Sequence, residues 1–551
     1  MHRFVRPLSL ALPLAALAAV PAAAQRAPVA PSADSLRAHV FAIAADSMEG
    51  RATGSRGDAM AAAWVADELR RAGLEPAGDS GTFFQTIPLA RVALDTTTGL
   101  RAGDRLLRAG SDVVPAGPEF SWTFDSATAI FGGVADDSAT WPAPERCAGK
   151  LVVMRPPPHA DFTATMRSIR LLRRDHRFRR VAGFAVAALE EAPPALSRRL
   201  AVGRLTTDTL MFHLVRGSVL VTAEGASTLL GAPLAAAVPG QAGATVSGQV
   251  IFRRLLPPYP VRNVVAILPG RDPALRRTYV AVSAHHDHLG MMRPPVDHDS
   301  LRAFDRVMRP MGADSPPQEP TPGQAARIAA LRDSLRADHP PEADSVYNGA
   351  DDDGSGTAAL VELARLLAAG PRPRRSILFV SHAAEEMGLL GSRWFTDHPT
   401  VPRDSIVAEI DMDMMGRGDA GDLPGGGPGY LEVVGSRRLS TAFGNLIDTV
   451  AAREPTSFDL NYAYDAPGHP LQYYCRADHY SYARYGIPAV SLSTGEHSDY
   501  HQVTDEPRYI DYDKLARVTA LVRDIVLAVA DLDHRPLVDG PRPDPRAPCR
   551  Q

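Results

Sequence analysis

The second half of the chain alternates short, apolar, strand-like runs with stretches of helical period. The runs are Thr278–Ala284, Ser376–Val380, Ile406–Ile410 and Ile487–Leu492. Thr357–Ala369 and Leu439–Ala452 stand between them with apolar residues at helical spacing, and Lys514–Leu532 closes the series. Strands alternating with helices predict an α/β fold, a mostly parallel central sheet flanked by helices. Ligands of such sheets gather at the carboxyl ends of the strands, so the residues just after each run are the candidates for chemistry.

The N-terminal half reads differently. Helical periodicity begins at Ser35, and a second helix is predicted from about Asp58 to Ala72, with Gly73 as its stop. From Val113 to Gln249 the pattern shifts to short alternating runs such as Leu151–Met154 and Gly217–Val221, with one basic helical stretch at Met166–Arg180. That texture predicts a separate, mostly β inserted domain. The expected partition is 35–111 as the N-terminal part of the main domain, 112–255 as the insert, 256–535 as the main α/β domain and 536–551 as a tail. Gly78-Asp79-Ser80-Gly81 looks like the surroundings of a serine nucleophile but reads as a turn, and Arg56-Gly57-Asp58 reads as a helix start.

Residues 1–24 read as a signal peptide: His2, Arg3 and Arg6 precede the apolar stretch Leu8–Val20, and Ala22-Ala23-Ala24 offers a small-residue cleavage site. A Pro/Ala-rich linker is expected over 25–34. The mature protein is therefore expected in the periplasm or outside the cell, with no membrane span. Formal net charge is −4 over 551 residues and becomes more negative when Arg3 and Arg6 are removed, which argues against a nucleic-acid partner. Cys147, Cys475 and Cys549 are too widely spaced to predict a disulfide framework or a zinc knuckle. Any metal here must use histidines and carboxylates.

Such groups follow every predicted strand. The first run ends in His285-His286-Asp287-His288, the second in His382-Ala383-Ala384-Glu385-Glu386 and the third in Asp411-Met412-Asp413. The fourth is followed by Glu496-His497-Ser498-Asp499-Tyr500-His501. Between the first and second lies Asp351-Asp352-Asp353, three like charges that disfavour one another's ionisation unless a cation sits among them. A convergent metal centre is the reading that unites these four rims. Nitrogen and oxygen donors without thiolate suit Zn2+, with Co2+ or Mn2+ as substitutes.

The motifs carry a resemblance. His285-His286-Asp287, Gly349 to Gly356, Ala384 to Ser392, Asp413 to Arg417 and His501 to Asp505 are similar, in order, to the motifs of M28 metallopeptidases, the co-catalytic di-zinc aminopeptidases and their relatives. Met48 to Gly57 also resembles the approach segment of members that carry a protease-associated domain. The resemblance implies two Zn2+ ions, one held by His285 and Asp413 and one by Glu386 and His501, with Asp352 bridging them. It implies Glu385 as general base and acid, Tyr474 as an aid to the tetrahedral intermediate, and a cis Asp352–Asp353 peptide.

Asp287, two residues past His285, is expected to accept that imidazole's other N–H and fix its tautomer. His286 and His288 are expected to be exposed or packing groups, and Asp478-His479 to shape the pocket. Residues 291–346 form a longer connection than the resemblance implies, with a helical run at Gln324–Ala337, and are a candidate lid beside the metals. The implied activity is a zinc-dependent exopeptidase acting on peptides, foremost an aminopeptidase. A carboxypeptidase of the folate-hydrolase type and a non-catalytic, receptor-like binding protein remain the alternatives, and a glutaminyl-cyclase-like transferase stands behind them.

Overall fold

A computed structural model describes residues 30–551 apart from 117–120, 160, 194, 208–216, 338 and 424. The expected signal peptide lies outside the described residues. The chain is α/β and holds two large sheets. The nine-stranded sheet takes four parallel strands at its centre, in the order Ser376–His382, Tyr279–His285, Ile406–Met412, Ala489–Ser493. Antiparallel strands flank them, Arg262–Leu268 on one side and Tyr430–Val434 on the other.

Its strands are apolar because both faces are covered. Gly354–Ala369 starts directly after the acidic triplet, with Asp353 as N-cap accepting from Gly356 N at 2.9 Å. It packs on one face with Ala33–Ile43, Arg56–Arg71 and Tyr512–Ala530, around Leu360, Leu363, Phe379, Ile410 and Val522. The opposite face buries Val380, Phe395, Tyr474 and Tyr482. The Gly78–Gly81 stretch is an exposed turn, and Arg56 opens a helix capped by Ser55.

The second sheet has eight strands and begins at Gly99–Ala102, ahead of the boundary expected at 112. Ala90–Leu94 pairs with Phe252–Leu255 and Arg204–Thr206 in a small sheet beside it. The hairpin of Gly99–Ala102 and Arg105–Arg108 is only four residues a side and carries three arginines among its eight positions, so its pattern gives little apolar signal. The stretch 112–255 is also less purely β than its texture suggests. Trp122–Val134, Leu151–Arg155, Gly183–Ala187 and Ser218–Val221 run parallel, which requires crossovers, and helices Phe162–Leu172 and Ala195–Val202 lie in two of them.

Two further expectations change. Residues 291–346 are not a bare loop: Met291–Asp297 pairs with Ala343–Val346 and carries helices His298–Met308 and Pro322–Leu335. This hairpin is tied to the chain around Tyr500 by Arg302 Nη1 to Asp499 Oδ2 at 2.7 Å and Ala313 N to Tyr500 O at 3.1 Å. Cys475 and Cys549, far apart in sequence, form a disulfide that holds the C-terminal tail to the main domain. Spacing could not show this pair because tertiary folding alone brings the two thiols together. Cys147 is buried and free. Among the described residues no helix is long and apolar enough to cross a membrane.

Candidate metal centre

The carboxyl ends of the central strands deliver the expected groups to one place. His285 closes its strand beside His382, and Asp413 follows the adjacent strand. His285 Nε2 lies 3.2 Å from Asp352 Oδ1 and 3.8 Å from Asp413 Oδ1. His501 Nε2 lies 2.9 Å from Asp352 Oδ2 and 3.1 Å from Glu386 Oε2. The two oxygens of Asp352 therefore face two separate donor groups. Glu385 Oε2 stands 3.9 Å from His285 Nε2 and lines the cavity that opens from the centre.

The acidic triplet divides because its three side chains point in different directions. Asp351 Oδ1 accepts from Gly416 N at 2.6 Å, and its Oδ2 lies 3.3 Å from His497 Nε2. Asp353 Oδ2 accepts from His285 N at 2.9 Å. The Asp352–Asp353 peptide is cis. Asp505 accepts from Asp351 N at 3.0 Å and Asp352 N at 3.2 Å, holding the loop from below. Arg51, fully buried, donates to the carbonyls of His286, Asn348 and Gly349 and clamps the loop to the first strand.

Electrostatics reflect the crowding. Burial raises Glu385 well above the usual carboxylate range, against the pull of His285 and with reinforcement from Glu386, Asp478 and Asp413. Burial alone would lower His501, but hydrogen bonds to Asp352 and Glu386 carry it up to about 10. Among the described residues no lysine or arginine forms an ion pair with Asp352, Glu386 or Asp413. Carboxylates this close with only imidazoles for company favour a cation.

Residues 263–526 match the sequence model of Peptidase family M28. This region belongs to peptidase family M28. Over 196 residues the chain is 30% identical to leucine aminopeptidase 1 of Paracoccidioides brasiliensis, covering 33% of this chain and 48% of that protein. Over 156 residues it is 29% identical to leupeptin-inactivating enzyme 1 of Streptomyces exfoliatus, covering 28% and 31% of the two. It is 47% identical to mouse aminopeptidase NAALADL1 over 77 residues, 13% of this chain and 10% of that one. The chain thus spans about half the length of these curated relatives or less. A zinc aminopeptidase from Bacillus subtilis aligns over 93% of this chain and 99% of its own, with a TM-score of 0.45 and 15% identity.

Within the M28 region several expectations shift. Asp287 was expected to receive the His285 N–H on its carboxylate. Instead the Asp287 backbone carbonyl lies 3.2 Å from His285 Nδ1, while the carboxylate accepts from Glu385 N at 3.0 Å and Thr53 Oγ1 at 2.8 Å. The Asp287 side chain is thus turned toward Glu385. Tyr474 does not face the cavity: it packs in the core against Tyr480, with the Arg438 guanidinium 4.1 Å over its ring. Tyr473 lines the cavity in its place, because the short turn at Tyr473–Cys475 points successive side chains apart.

His286 and His288 are both buried. His286 Nδ1 contacts Ser381 Oγ at 2.8 Å, as a packing group would. His288 Nδ1 lies 2.7 Å from Glu386 Oε1, so it belongs to the centre's surroundings. Its signal was the i, i+3 spacing from His285, which strand alternation alone discounts. Sequence reading also passed over Glu432, in the strand Tyr430–Val434, and Arg476, both of which line the cavity. A glutamate inside an otherwise apolar strand was the available clue to the first.

Proposed function

We propose that this chain is an exported, zinc-dependent aminopeptidase that hydrolyses the first peptide bond of peptides with a free N-terminus. The observation that carries the reading is Asp352, whose Oδ1 and Oδ2 separately face His285 and His501 at 3.2 and 2.9 Å. The donors fit Zn2+: His285 and Asp413 would hold one ion, Glu386 and His501 a second, and Asp352 both, with Co2+ or Mn2+ as substitutes. When bound, such a pair supplies Lewis acidity at the scissile carbonyl and makes water acidic near neutral pH.

Glu385 stands apart from those five donors. Its carboxylate takes a proton from the attacking water and returns it to the leaving amine nitrogen, a role that burial favours by raising its affinity for the proton. Asp287 holds the Glu385 backbone through the 3.0 Å hydrogen bond and so fixes where that carboxylate swings. Tyr473 and Tyr500 are the phenols that line the cavity, as Tyr474 is committed to the core.

The cavity walls favour an aminopeptidase over a carboxypeptidase. Arg476 is the one arginine lining the cavity among the described residues, and it already pairs with Asp314 and with Glu496 at 3.3 Å. A terminal carboxylate would meet Arg476, already engaged by two carboxylates, and Arg393 at the adjoining mouth, whereas an ammonium group would find carboxylates on every side. Export rests on the leader pattern of residues 1–24 and is supported by the Cys475–Cys549 disulfide, a bond suited to an oxidising compartment. The test is hydrolysis of N-terminally free and N-blocked peptides, with and without a chelator and with zinc restored. Free peptides should lose their first residue and blocked ones should survive. Cleavage of blocked peptides from the C-terminal end would replace this reading with the carboxypeptidase one.

A further inference from the structure

One wall of the cavity takes no part in the hydrolysis. Strand alternation puts Glu432 and Val434 on one face, and antiparallel pairing sets Glu432 opposite Ser493 and Val434 opposite Ser491. These four side chains make a single facet turned to the cavity that also holds Glu385 and Asp413. The free space within it is small, about 70 Å³. Glu432 is 2% exposed, and its Oε1 accepts from the Tyr430 hydroxyl at 2.7 Å, which itself accepts from Asn461 Nδ2 at 2.8 Å. Gly495, at φ 90°, makes room for it: a Cβ there would sit 2.7 Å from Glu432 Oε1.

Glu496 stands beside this facet. Its Oε2 is buried without a hydrogen-bond partner among the described residues, and its other oxygen shares Arg476 with Asp314. Two carboxylates thus divide one guanidinium, and Glu432 has no share in it. A buried carboxylate served only by a phenol costs free energy until a cation arrives, and a facet for an aliphatic side chain would have no use for one.

We propose that this facet seats the side chain of the substrate's first residue and selects lysine or arginine, with Glu432 as the specificity-determining residue. The inference rests on the aminopeptidase reading and names the substrate class of that same site. Burial pushes Glu432 up to about 7, with no cation beside it to offset the cost, and pushes Glu496 up to about 8 in spite of Arg476. The two serines and the carboxylates together hydrogen-bond an ammonium or guanidinium head, and Val434 covers its aliphatic stem.

The experiment is a panel of Lys-, Arg-, Leu-, Phe- and Glu-p-nitroanilides with the zinc-loaded, full-length enzyme. Lysyl and arginyl substrates should exceed leucyl in kcat/KM by about tenfold or more, the size of one charge-assisted hydrogen bond. Glu432→Gln and Glu432→Leu should shrink the Lys-to-Leu ratio by about tenfold to a hundredfold. A merely structural role would lower all substrates together and leave the ratio alone. Lysinamide should also inhibit the unmodified enzyme more strongly than leucinamide, a comparison that needs no variant to fold. Leucyl ahead of lysyl, or a ratio unmoved by both substitutions, overturns this inference alone. No turnover of any free-amine substrate overturns the aminopeptidase reading and this inference with it.

Discussion

In the eight-stranded sheet, Leu151–Arg155 and Gly183–Ala187 run parallel, bury Val152, Val153, Phe184 and Val186 completely, and bring no paired ionisable groups into the core. In the nine-stranded sheet, Tyr279–His285 and Ile406–Met412 also run parallel and are buried in mid-strand, but there Glu409 accepts from Ser283 Oγ at 2.7 Å. Their ends also carry His285 and Asp413 into a cluster with Asp352, Glu385 and Glu386. The first sheet has a core of apolar side chains. The second adds a crowd of buried carboxylates that opposes folding unless a cation is bound, so its stability and its chemistry depend on the same ligand.

The largest expected effect separates the two regions. Chelation should abolish hydrolysis and weaken hydrogen-exchange protection in Tyr279–His285 while leaving Leu151–Arg155 unchanged; equal loss in both would erase the distinction. Next comes Glu385→Gln, which should lower kcat by about a hundredfold or more with bound zinc unchanged by elemental analysis. A rate near that of the unmodified enzyme would remove Glu385 from proton transfer. On the other side of the comparison, Phe184→Ala should cost the eight-stranded sheet about 3–5 kcal/mol in denaturant unfolding. Its effect on kcat per folded molecule should stay within about twofold, because the site is built on the other sheet.

The smallest effect is a pH dependence of selectivity. Glu432, which faces Tyr430, Tyr464 and Tyr473, is held near 7, and Glu496, which faces Arg476, Tyr473 and Asp314, near 8. Losing the proton creates the charge that a lysyl ammonium pairs with. The Lys-to-Leu ratio of kcat/KM should therefore rise as pH increases through about 7 to 8 and fall as it decreases, by about tenfold overall. Taking the ratio cancels titrations in the catalytic centre, since both substrates meet the same centre. A flat ratio would separate Glu432 from side-chain recognition.

Much of this was legible in the chain. The four central strands and the helices after them followed from apolar period, and the residues flanking the strand ends follow from the geometry of parallel sheets. The sheet reached beyond the expected boundary where short strands gave too few positions to show a period, as in the hairpin at 99–108. Side-chain direction at the site was less accessible. Adjacent tyrosines at 473 and 474 exchange roles because a turn, unlike a strand, has no fixed alternation. Asp287 turned its carboxylate to Glu385 N because a backbone carbonyl already lay against His285.

The sequence by itself determined which elements exist and which residue types stand at their ends, because period and strand polarity are local properties. It also marked Asp351-Asp352-Asp353 as a place that calls for a cation, since three like charges in a row repel whatever surrounds them. Only the tertiary structure decided that Asp352 faces two histidines 216 positions apart in the numbering, His285 and His501, from its two oxygens. It alone joined Cys475 to Cys549 and turned Glu432 toward the same cavity as Glu385. Those contacts depend on how distant strands register and how the chain turns after them, which no local pattern encodes.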